Sequence, residues 1–230
     1  CPFHGFRYDA SGRGVLIPAN GRDAEVPDRF RVHAYPVHEA HGWLWIWWGE
    51  RPPARIPAPR YFEDLEGFAW ASTVDPWDAH YSRVIENQLD VVHLPFVHYN
   101  TIGRGGRTVV DGPVTRDSAE GIEVWVSNRV EDGQPARHTD ELDVPSGRPM
   151  VHFRFPSLWQ LLVARDFRIF IAFAPVDEEN TLLYVRNYQR RVRAPVLAKL
   201  VAVGGLLGSS VIVRQDKRVV VMEKTNARFV

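Results

Sequence analysis

The chain has 230 residues, 45% of them hydrophobic and 8 of them tryptophan, which is enough for one substantial core and a smaller one beside it. Lys and Arg total 28 and Asp and Glu also total 28, so no net charge favours nucleic acid or an anionic membrane as a partner. The single cysteine excludes an internal disulfide framework and suits a reducing compartment, so we expect a cytoplasmic protein. The longest uncharged stretch, Leu200 to Val213, is too short to span a bilayer.

The chain begins with a pair of potential metal ligands, Cys1 and His4, in the sequence Cys-Pro-Phe-His-Gly-Phe. A thiolate and an imidazole at this spacing can converge on one metal from a tight loop. An iron-sulfur or zinc site needs two further ligands, yet Cys1 is the only cysteine. We therefore expect the missing ligands upstream of residue 1 or on another chain, and we interpret the sequence as a fragment. For the pair alone, zinc or a thiol beside a surface histidine is the alternative.

Residues 1–50 read as short strands separated by turns. The segment from Phe6 to Asp9, followed by the glycine-containing residues 11–14, predicts a hairpin. Between Trp43 and Trp48 tryptophan alternates with Leu and Ile, which predicts a strand buried on both faces with its tryptophans in the core. Four prolines follow within residues 51–59 and can neither pair in a central strand nor continue a helix, so residues 51–60 are predicted to be a linker.

Residues 61–230 combine helical and strand patterns and predict an α+β domain. A helix or turn and then a strand are expected over residues 61–75, and a helix over residues 76–92. Five later strands favour an antiparallel meander, and two helices follow them. The strands are expected at Gly121–Val130, Met150–Phe155, Leu158–Ala164, Phe167–Pro175 and Thr181–Gln189, and the helices at Pro195–Leu207 and Ser209–Asn226.

Two histidines that follow the predicted helix over residues 76–92 are candidate metal ligands. Glu86, Asp90 and His93 share one helix face, next to an apolar stripe. His93 and His98 would be about 140° apart on a regular helix, so they can share a metal only if the helix is distorted. Pro95 supplies a distortion, because its ring clashes with the carbonyl four residues earlier and ends or kinks the helix.

Two imidazoles and one carboxylate, with open coordination positions, form the ligand set of non-haem Fe(II) oxygenases. Asp90 is better placed to accept a hydrogen bond from the second ring nitrogen of His93 than to bind the metal. Asp216 is the predicted ligand, because it shares a helix face with Val213 and Val220 and an inward carboxylate without a partner is costly. On spacing alone, an exposed Asp216 within the charged run 216–218 is equally compatible.

These motifs resemble those of Rieske non-haem iron oxygenases. Residues 1–6 resemble the second half of the Rieske signature, Cys-Pro-x-His-Gly-aromatic. Asn87, Asp90, His93 and His98 match the spacing of the mononuclear-iron motif of this family, and Gln215-Asp216 before an apolar helical segment is similar to the segment with the third ligand. The resemblance covers nearly the whole chain, with all motifs in family order.

The resemblance implies an oxygenase α subunit of class α+β. Residues 1–50 would be the C-terminal part of an all-β Rieske domain, and residues 61–230 a helix-grip catalytic domain in which an antiparallel sheet and a long helix enclose the iron. It implies a [2Fe-2S] cluster bound by Cys1, His4 and two absent ligands, and Fe(II) bound by His93, His98 and Asp216. Because half the cluster ligands are absent, we expect the chain to hold at most the mononuclear iron.

The implied activity is hydroxylation, dihydroxylation or demethylation of an apolar, cyclic or aromatic substrate with O2. Electrons would come from an NAD(P)H-dependent reductase or a ferredoxin. The implied assembly is a head-to-tail homotrimer in which Asp90 bridges a cluster histidine of one subunit and an iron histidine of the next. Asn87 and Asp90 are the implied catalytic residues beside the metal ligands. No nucleic acid or membrane partner is expected.

Two other classes of protein remain open from the sequence. One is a Rieske-type electron carrier, which leaves the long segment after residue 60 unexplained. The other is a helix-grip binding module whose histidines bind zinc or nothing. The remaining histidines lack ligand spacing and receive no role, and the strand aromatics are expected in the core. These are His33, His38, His41, His80, His138 and His152, and Phe153, Phe155, Trp159, Phe170 and Phe173.

Overall fold

A computed structural model describes residues 1–49 and 61–226 of the protein. The chain divides into two compact units, Cys1–Tyr61 and Phe62–Val230. The predicted linker over residues 51–60 lies outside the described residues, so it stays a prediction.

The first unit contains two small antiparallel hairpins. Strands β1 (Arg7–Tyr8) and β2 (Gly14–Leu16) form one, as the turn sequence predicts, and β3 (Val37–Ala40) and β4 (Trp43–Ile46) form the other. The prediction that the tryptophan strand is buried on both faces was wrong. Trp43 and Trp45 are partly buried, but Leu44 and Ile46 on the opposite face are 73% and 60% exposed. The alternation in β4 therefore separates a packed face from an exposed apolar face.

The second unit is built on a seven-stranded antiparallel sheet in the order β5-β11-β10-β9-β8-β7-β6. The predicted meander is confirmed over its last five strands. Strand β6, which pairs with β7, was not predicted, and β5 extends to Trp77, beyond its predicted end at Asp75. The strands are β5 (Ala69–Trp77), β6 (Val109–Ser118), β7 (Gly121–Arg129), β8 (Val151–Arg154), β9 (Leu158–Ala164), β10 (Phe167–Pro175) and β11 (Thr181–Gln189).

A single long helix covers one face of this sheet. The predicted break between two C-terminal helices is absent, because one helix runs from Pro195 to Asn226 and contacts β5 and β11. Its buried residues recur every three or four positions, which is the spacing of one helix face. They are Ala198, Ala202, Leu206, Ser209, Val213, Asp216 and Val220. This helix, which we number α3, thus brings a carboxylate to the same side as its apolar residues.

The opposite face of α3 is also apolar, with Leu200 and Leu207 62% and 66% exposed. By length and composition alone, the segment Pro195–Met222 would suffice to cross a bilayer. The expectation that this region is too short to span a bilayer counted only the uncharged stretch from Leu200 to Val213, and it was therefore too strict. One such helix is weak evidence of a membrane span, because the core helix of a soluble protein and a signal sequence pass the same test.

Two short helices connect β5 to β6. Helix α1 (Tyr81–Leu89) begins after His80, whose Nδ1 accepts a hydrogen bond from the Ser82 amide, and α2 (Leu94–Val97) follows it. The predicted helix over residues 76–92 was therefore too long at both ends. Residues 76 and 77 belong to β5, and Asp90 has extended backbone dihedrals that end α1.

Candidate metal centre

The break between α1 and α2 brings the two candidate histidines together. His93 immediately precedes α2 and His98 immediately follows it, and their Nε2 atoms are 3.3 Å apart. The predicted distortion is confirmed, but its position differs. The helix already ends at Leu89, and Pro95 lies in the first turn of α2, where proline is tolerated because no helical N–H bond is lost.

The carboxylate of Asp216 meets both imidazoles from α3. Its Oδ1 lies 3.0 Å from Nε2 of His98 and 3.3 Å from Nε2 of His93, and the residue is 3% exposed. The prediction that these three side chains converge is confirmed. Glu86, which the sequence placed on one helix face with Asp90 and His93, is exposed on α1 and forms an ion pair with Arg83.

The three facing atoms form a triangle with the dimensions of a metal site. Ligands at about 2.1 Å from a first-row dication are about 3.0 Å apart at right angles and about 3.4 Å apart at tetrahedral angles. The observed edges of 3.0, 3.3 and 3.3 Å fall in this interval. Asp216 Oδ1 is buried without a hydrogen bond of normal geometry, as expected of an atom whose lone pair serves a metal.

The electrostatics of the triangle favour an ionised carboxylate. Burial alone raises the pKa of Asp216, but the adjacent imidazoles of His93 and His98 more than offset this, so its pKa is lowered. Burial lowers the pKa of His98, whereas contact with Asp216 and Gln215 raises it, and the net direction is upward. An anionic oxygen and two imidazoles are donors that a divalent transition metal accepts.

A glutamine beside the ligand on α3 fixes the orientation of one imidazole. The Oε1 atom of Gln215 lies 2.9 Å from Nδ1 of His98 and also accepts a hydrogen bond from Thr101 Oγ1 at 2.9 Å. The Gln215 Nε2 donates to Asn100 Oδ1 at 2.8 Å, which identifies Oε1 as the acceptor. With the Gln215 amide in this orientation, Nδ1 of His98 donates to Oε1, and a metal would meet the other ring nitrogen, Nε2, which faces the triangle.

A second glutamine holds the other oxygen of the carboxylate. Gln88 on α1 is 8% exposed, and its Nε2 donates to Asp216 Oδ2 at 3.2 Å. Its backbone carbonyl accepts a hydrogen bond from Trp159 Nε1 on β9 at 2.8 Å. Neither Gln88 nor the role of Gln215 was predicted from the sequence. The inward-facing position of Gln88, four residues after the buried Val84, was the signal that would have found it.

The predicted catalytic residues Asp90 and Asn87 lie beside the triangle. Asp90 Oδ1 accepts the Val92 amide at 2.8 Å, its Oδ2 is 3.5 Å from Nδ1 of His93, and its side chain is 49% exposed. Asp90 therefore lies on the predicted side of the His93 ring, next to Nδ1, but the distance of 3.5 Å is longer than a hydrogen bond. Asn87 Oδ1 accepts a hydrogen bond from Gln88 Nε2 at 3.0 Å. The same nitrogen donates to Asp216 Oδ2, so the Gln88 amide links Asn87 to the carboxylate.

The other candidate ligand pair lies in the first unit. Cys1 and His4 are both exposed in a turn that the Gly5 amide closes by donating to the Cys1 carbonyl at 3.0 Å. Gly5 has φ of 71°, a conformation that favours glycine. Among the described residues, only His93, His98 and Asp216 form a group of three or more such ligands. The assignment of Cys1 and His4 to a cluster remains a prediction.

A cavity of about 540 Å³ opens beside the triangle, between α3 and the sheet. Its size falls within the usual range of small-molecule sites. Trp159 lines it and also belongs to the hydrophobic core. The expectation that the strand aromatics lie in the core is confirmed for Phe153, Trp159, Phe170 and Phe173, but it was wrong for Phe155, which is 49% exposed just after β8. The apolar wall includes Met150, Leu161, Phe167, Ile169, Ile171 and Val213.

Similarity to known proteins extends through most of the chain. Residues 77–229 match the family model of the vanillate O-demethylase oxygenase C-terminal domain. The chain is 32% identical over 122 residues to a putative toluene-4-sulfonate monooxygenase iron-sulfur subunit of Comamonas testosteroni, which covers 51% of this chain and 34% of that protein. It is 32% identical over 120 residues to the vanillate O-demethylase oxygenase subunit of a Pseudomonas strain, which covers 50% and 34%.

The fold is shared with solved structures, one of which is a monooxygenase. Dicamba monooxygenase bound to dicamba has a TM-score of 0.70 at 17% identity, over 99% of this chain and 70% of that chain. NdmA of Pseudomonas putida CBB5 has a TM-score of 0.65 at 19% identity, over 96% and 60%. The chain spans about a quarter to a third of the length of the curated relatives it matches. It belongs to the family of the vanillate O-demethylase oxygenase C-terminal domain, the Rieske oxygenase catalytic domain that its motifs resemble.

Proposed function

We propose that the chain is the catalytic part of a Rieske-type non-haem iron oxygenase. It would use O2 to hydroxylate, dihydroxylate or demethylate an apolar, cyclic or aromatic molecule. One observation carries this proposal: two imidazoles and one buried carboxylate face a common point at the end of a largely apolar cavity. This is the ligand set of the facial triad of non-haem Fe(II) oxygenases, in which His93, His98 and Asp216 would hold the metal and leave coordination positions open.

The donor atoms fit a resident Fe(II) ion. His93 and His98 would hold it through Nε2 and Asp216 through Oδ1, the atoms that form the triangle of 3.0 to 3.3 Å. When bound, Fe(II) supplies the reductive activation of O2. Gln215 keeps the proton of His98 on Nδ1, and Gln88 holds Asp216 Oδ2, so both ligands are orientated before the metal arrives.

The cavity walls would bind and position the substrate. Leu161, Ile169, Ile171 and Val213 present apolar surface, so an apolar ring gains free energy by leaving water. The same surface excludes water from the space next to the three ligands. Trp159 contributes a flat wall. Its indole N–H already donates to the Gln88 carbonyl, so the substrate does not need to supply a hydrogen-bond acceptor for it.

The remaining parts of the proposal concern electron supply and assembly. Cys1 and His4, in the domain at residues 1–50, would bind a [2Fe-2S] cluster together with two ligands that this chain does not contain. The linker at 51–60 would connect them to the catalytic domain at 61–230. A reductase or ferredoxin would supply electrons in the cytoplasm. The half-exposed carboxylate of Asp90, next to His93, supports a bridging role in a homotrimer.

Metal binding by the purified chain tests the proposal. After anaerobic loading with Fe(II) and desalting, we expect about one iron per chain. His93→Ala and Asp216→Ala should each lose at least tenfold in Fe(II) affinity, whereas His33→Ala, an exposed histidine of the first unit, should retain the iron. Zinc bound in place of iron after loading with both metals would favour the binding module, and iron binding that survives Asp216→Ala would contradict the triad.

A further inference from the structure

The reverse face of the seven-stranded sheet contains two further cavities. On β10, Ile169 and Ile171 line the cavity beside the metal triangle, whereas Arg168 lines the two on the reverse face, as the alternation of side chains along a strand requires. The two cavities have volumes of about 270 and 390 Å³ and adjoin, because both are lined by Arg148, Leu162 and Arg168. Among their described lining residues, only Leu162 also borders the cavity beside the triangle.

Arginine dominates the larger of these two cavities. Arg165 lies in the turn between β9 and β10, and Arg190 directly follows β11, where its amide donates to the Asp166 carbonyl of that turn at 3.1 Å. Guanidinium groups present planar forks of N–H donors that match the oxygens of carboxylate and phosphate groups. The complete lining consists of one leucine and four arginines, Leu162, Arg148, Arg165, Arg168 and Arg190.

The acids that contact these arginines do not balance their charge. Asp64 Oδ2 lies 2.9 Å from Arg148 Nη1 and 3.6 Å from Arg168 Nε. Asp166 Oδ1 lies 3.0 Å from Arg190 Nε. Four guanidinium groups against two carboxylates leave an excess of two positive charges in the cluster.

Arg168 is the buried member of the cluster and acts through its charge. It is 2% exposed, and its Nη1 donates to two backbone carbonyls that flank the β9–β10 turn, so we assign it no direct contact with a ligand. Burial lowers the pKa of Arg168, and the guanidinium groups of Arg148 and Arg190 lower it further, so that Asp64 offsets these effects only in part. A buried cation with like-charged neighbours is stabilised by an anion nearby.

The other three arginines are accessible to a ligand. Arg165 is exposed and forms no ion pair with a described residue, and the side chains of Arg148 and Arg190 are 62% and 39% exposed. The Arg190 guanidinium lies 4.9 Å from the centre of the Phe68 ring, a cation–π contact that holds it in place. A concave site of about 390 Å³ favours a small molecule over an acidic protein surface.

We propose that this arginine cleft, formed by Arg148, Arg165, Arg168 and Arg190, binds a small dianionic oxyanion group, that of inorganic phosphate or of a phosphate ester. The oxygens bind Arg148, Arg165 and Arg190, and Arg168 supplies charge from beneath them. A dianion matches the two uncompensated positive charges, whereas a carboxylate monoanion leaves one of them unpaired. Because the cleft lies on the reverse face of the sheet from the metal triangle, this inference is independent of the proposed function.

Calorimetric titration of the purified 230-residue chain with inorganic phosphate tests the inference. The titration is made at constant ionic strength and about pH 8, where phosphate is a dianion. We expect one saturable site that also binds sulfate, and at least fivefold weaker binding of acetate, a monoanion of similar size. The absence of a saturable site, or acetate binding as tight as that of phosphate, would overturn the inference.

Three substitutions assign the binding to the arginine cleft. Arg165→Gln and Arg148→Gln should each weaken phosphate binding about five- to tenfold, because each removes a charged donor. Asp166→Asn should strengthen it at least twofold, because it removes a negative charge beside Arg190, and a misfolded variant cannot produce this gain. Arg29→Gln, at an exposed arginine of the first unit, is the matched control and should bind as the wild type does.

The thermal midpoint identifies any variant that fails to fold, and Arg165→Gln, in an exposed turn, then decides. Full phosphate affinity in folded Arg165→Gln, or weaker binding by Asp166→Asn, would contradict the site. Methyl phosphate distinguishes the two sources of the oxyanion: affinity equal to that of phosphate indicates a cleft open to esters, and weaker binding indicates the free ion. A hexaglutamate peptide that binds more tightly than phosphate would instead favour an acidic protein partner and overturn the small-molecule ligand.

Discussion

At the scale of single residues, the most informative side chain outside the triad is Gln88. Its amide nitrogen contacts Asp216 Oδ2 at 3.2 Å and Asn87 Oδ1 at 3.0 Å, so one group supports the metal-facing carboxylate and the preceding residue of its own helix. Buried carboxylates need such donors, because their loss of hydration is otherwise uncompensated. Gln88 is thus a positioning residue that acts on the metal through Asp216.

Gln88→Leu should lower Fe(II) affinity by about 10- to 100-fold, the usual effect of removing a group that orientates a metal ligand. The shape of the side chain is nearly kept, so the fold should persist. Equilibrium Fe(II) titration measures the change, with Glu86→Gln as the control because Glu86 is exposed on the same helix. Unchanged affinity in a folded Gln88→Leu variant would contradict the positioning role.

At the scale of elements, α3 contains two adjacent glycines in different surroundings. A Cβ on Gly204 would meet nothing within 4 Å, whereas a Cβ on Gly205 would overlap Asn187 Oδ1. Gly204→Ala should therefore raise the free energy of unfolding by about 0.5–1 kcal/mol, since alanine favours the helix. Gly205→Ala should lower it by about 1 kcal/mol or more through overpacking. Urea unfolding measures both, and equal effects of the two substitutions would contradict the close approach of α3 to β11.

The buried Asp111 on β6 predicts a pH-dependent contribution to stability. The Arg137 amide donates to its Oδ1 at 2.9 Å, the guanidinium groups of Arg137 and Arg129 lie 3.3 Å from Oδ2, and these contacts outweigh burial and lower its pKa. A lowered folded-state pKa stabilises the protein above the unfolded-state pKa of about 3.9, and this stabilisation is lost as pH falls through the folded-state value.

Asp111→Asn should therefore be less stable than the wild type at pH 7, and the difference should shrink below about pH 4. Thermal unfolding across this range measures it. Asp117→Asn, an exposed acid on the same strand, is the control and should show no difference. A gap between Asp111→Asn and wild type that persists unchanged at pH 3 would contradict the assignment.

The chain pattern predicted most of the sheet because its strands are short, strongly patterned and bounded by Asp, Gly and Asn turns. It missed β6 because Gly112 and Pro113 interrupt that strand, and it split α3 because Gly204, Gly205 and Gly208 resemble a helix end. Packing against β5 and β11 overrides that local signal. His93, His98 and Asp216 could be predicted from ligand chemistry and spacing. Gln88 and Gln215 could not, because their roles arise only from contacts between segments that are far apart in the sequence.

At the scale of the whole molecule, Asp90 is expected to couple two subunits. In a longer chain that supplies the second Cys-x-His pair, Asp90→Asn should keep both metals and lose most turnover, because electron transfer between subunits is impaired. The half-exposed position of Asp90 beside His93 supports this expectation. Single-turnover oxidation of the reduced cluster measures the transfer, and an unchanged rate would contradict the coupling role.

The 230-residue chain itself should bind the mononuclear iron and no cluster. Cys1 and His4 supply two ligands where a Rieske cluster needs four, and the sequence holds no other cysteine. Absorbance and electron paramagnetic resonance spectra, with an assay for acid-labile sulfide, measure this after reconstitution with iron and sulfide. A Rieske spectrum with matching sulfide would show that the role assigned to Cys1 and His4 is wrong.

The single buried face of α3 has a consequence for the metal ligand that it contains. Val213, Asp216 and Val220 lie on that face within two turns of the helix, and the helix contacts β5 and β11. Packing α3 one residue out of register would move the Asp216 carboxylate by about 1.5 Å along the helix axis and turn it by about 100°. The register of this helix on the sheet and the meeting of Asp216 with the two histidines would therefore be lost together.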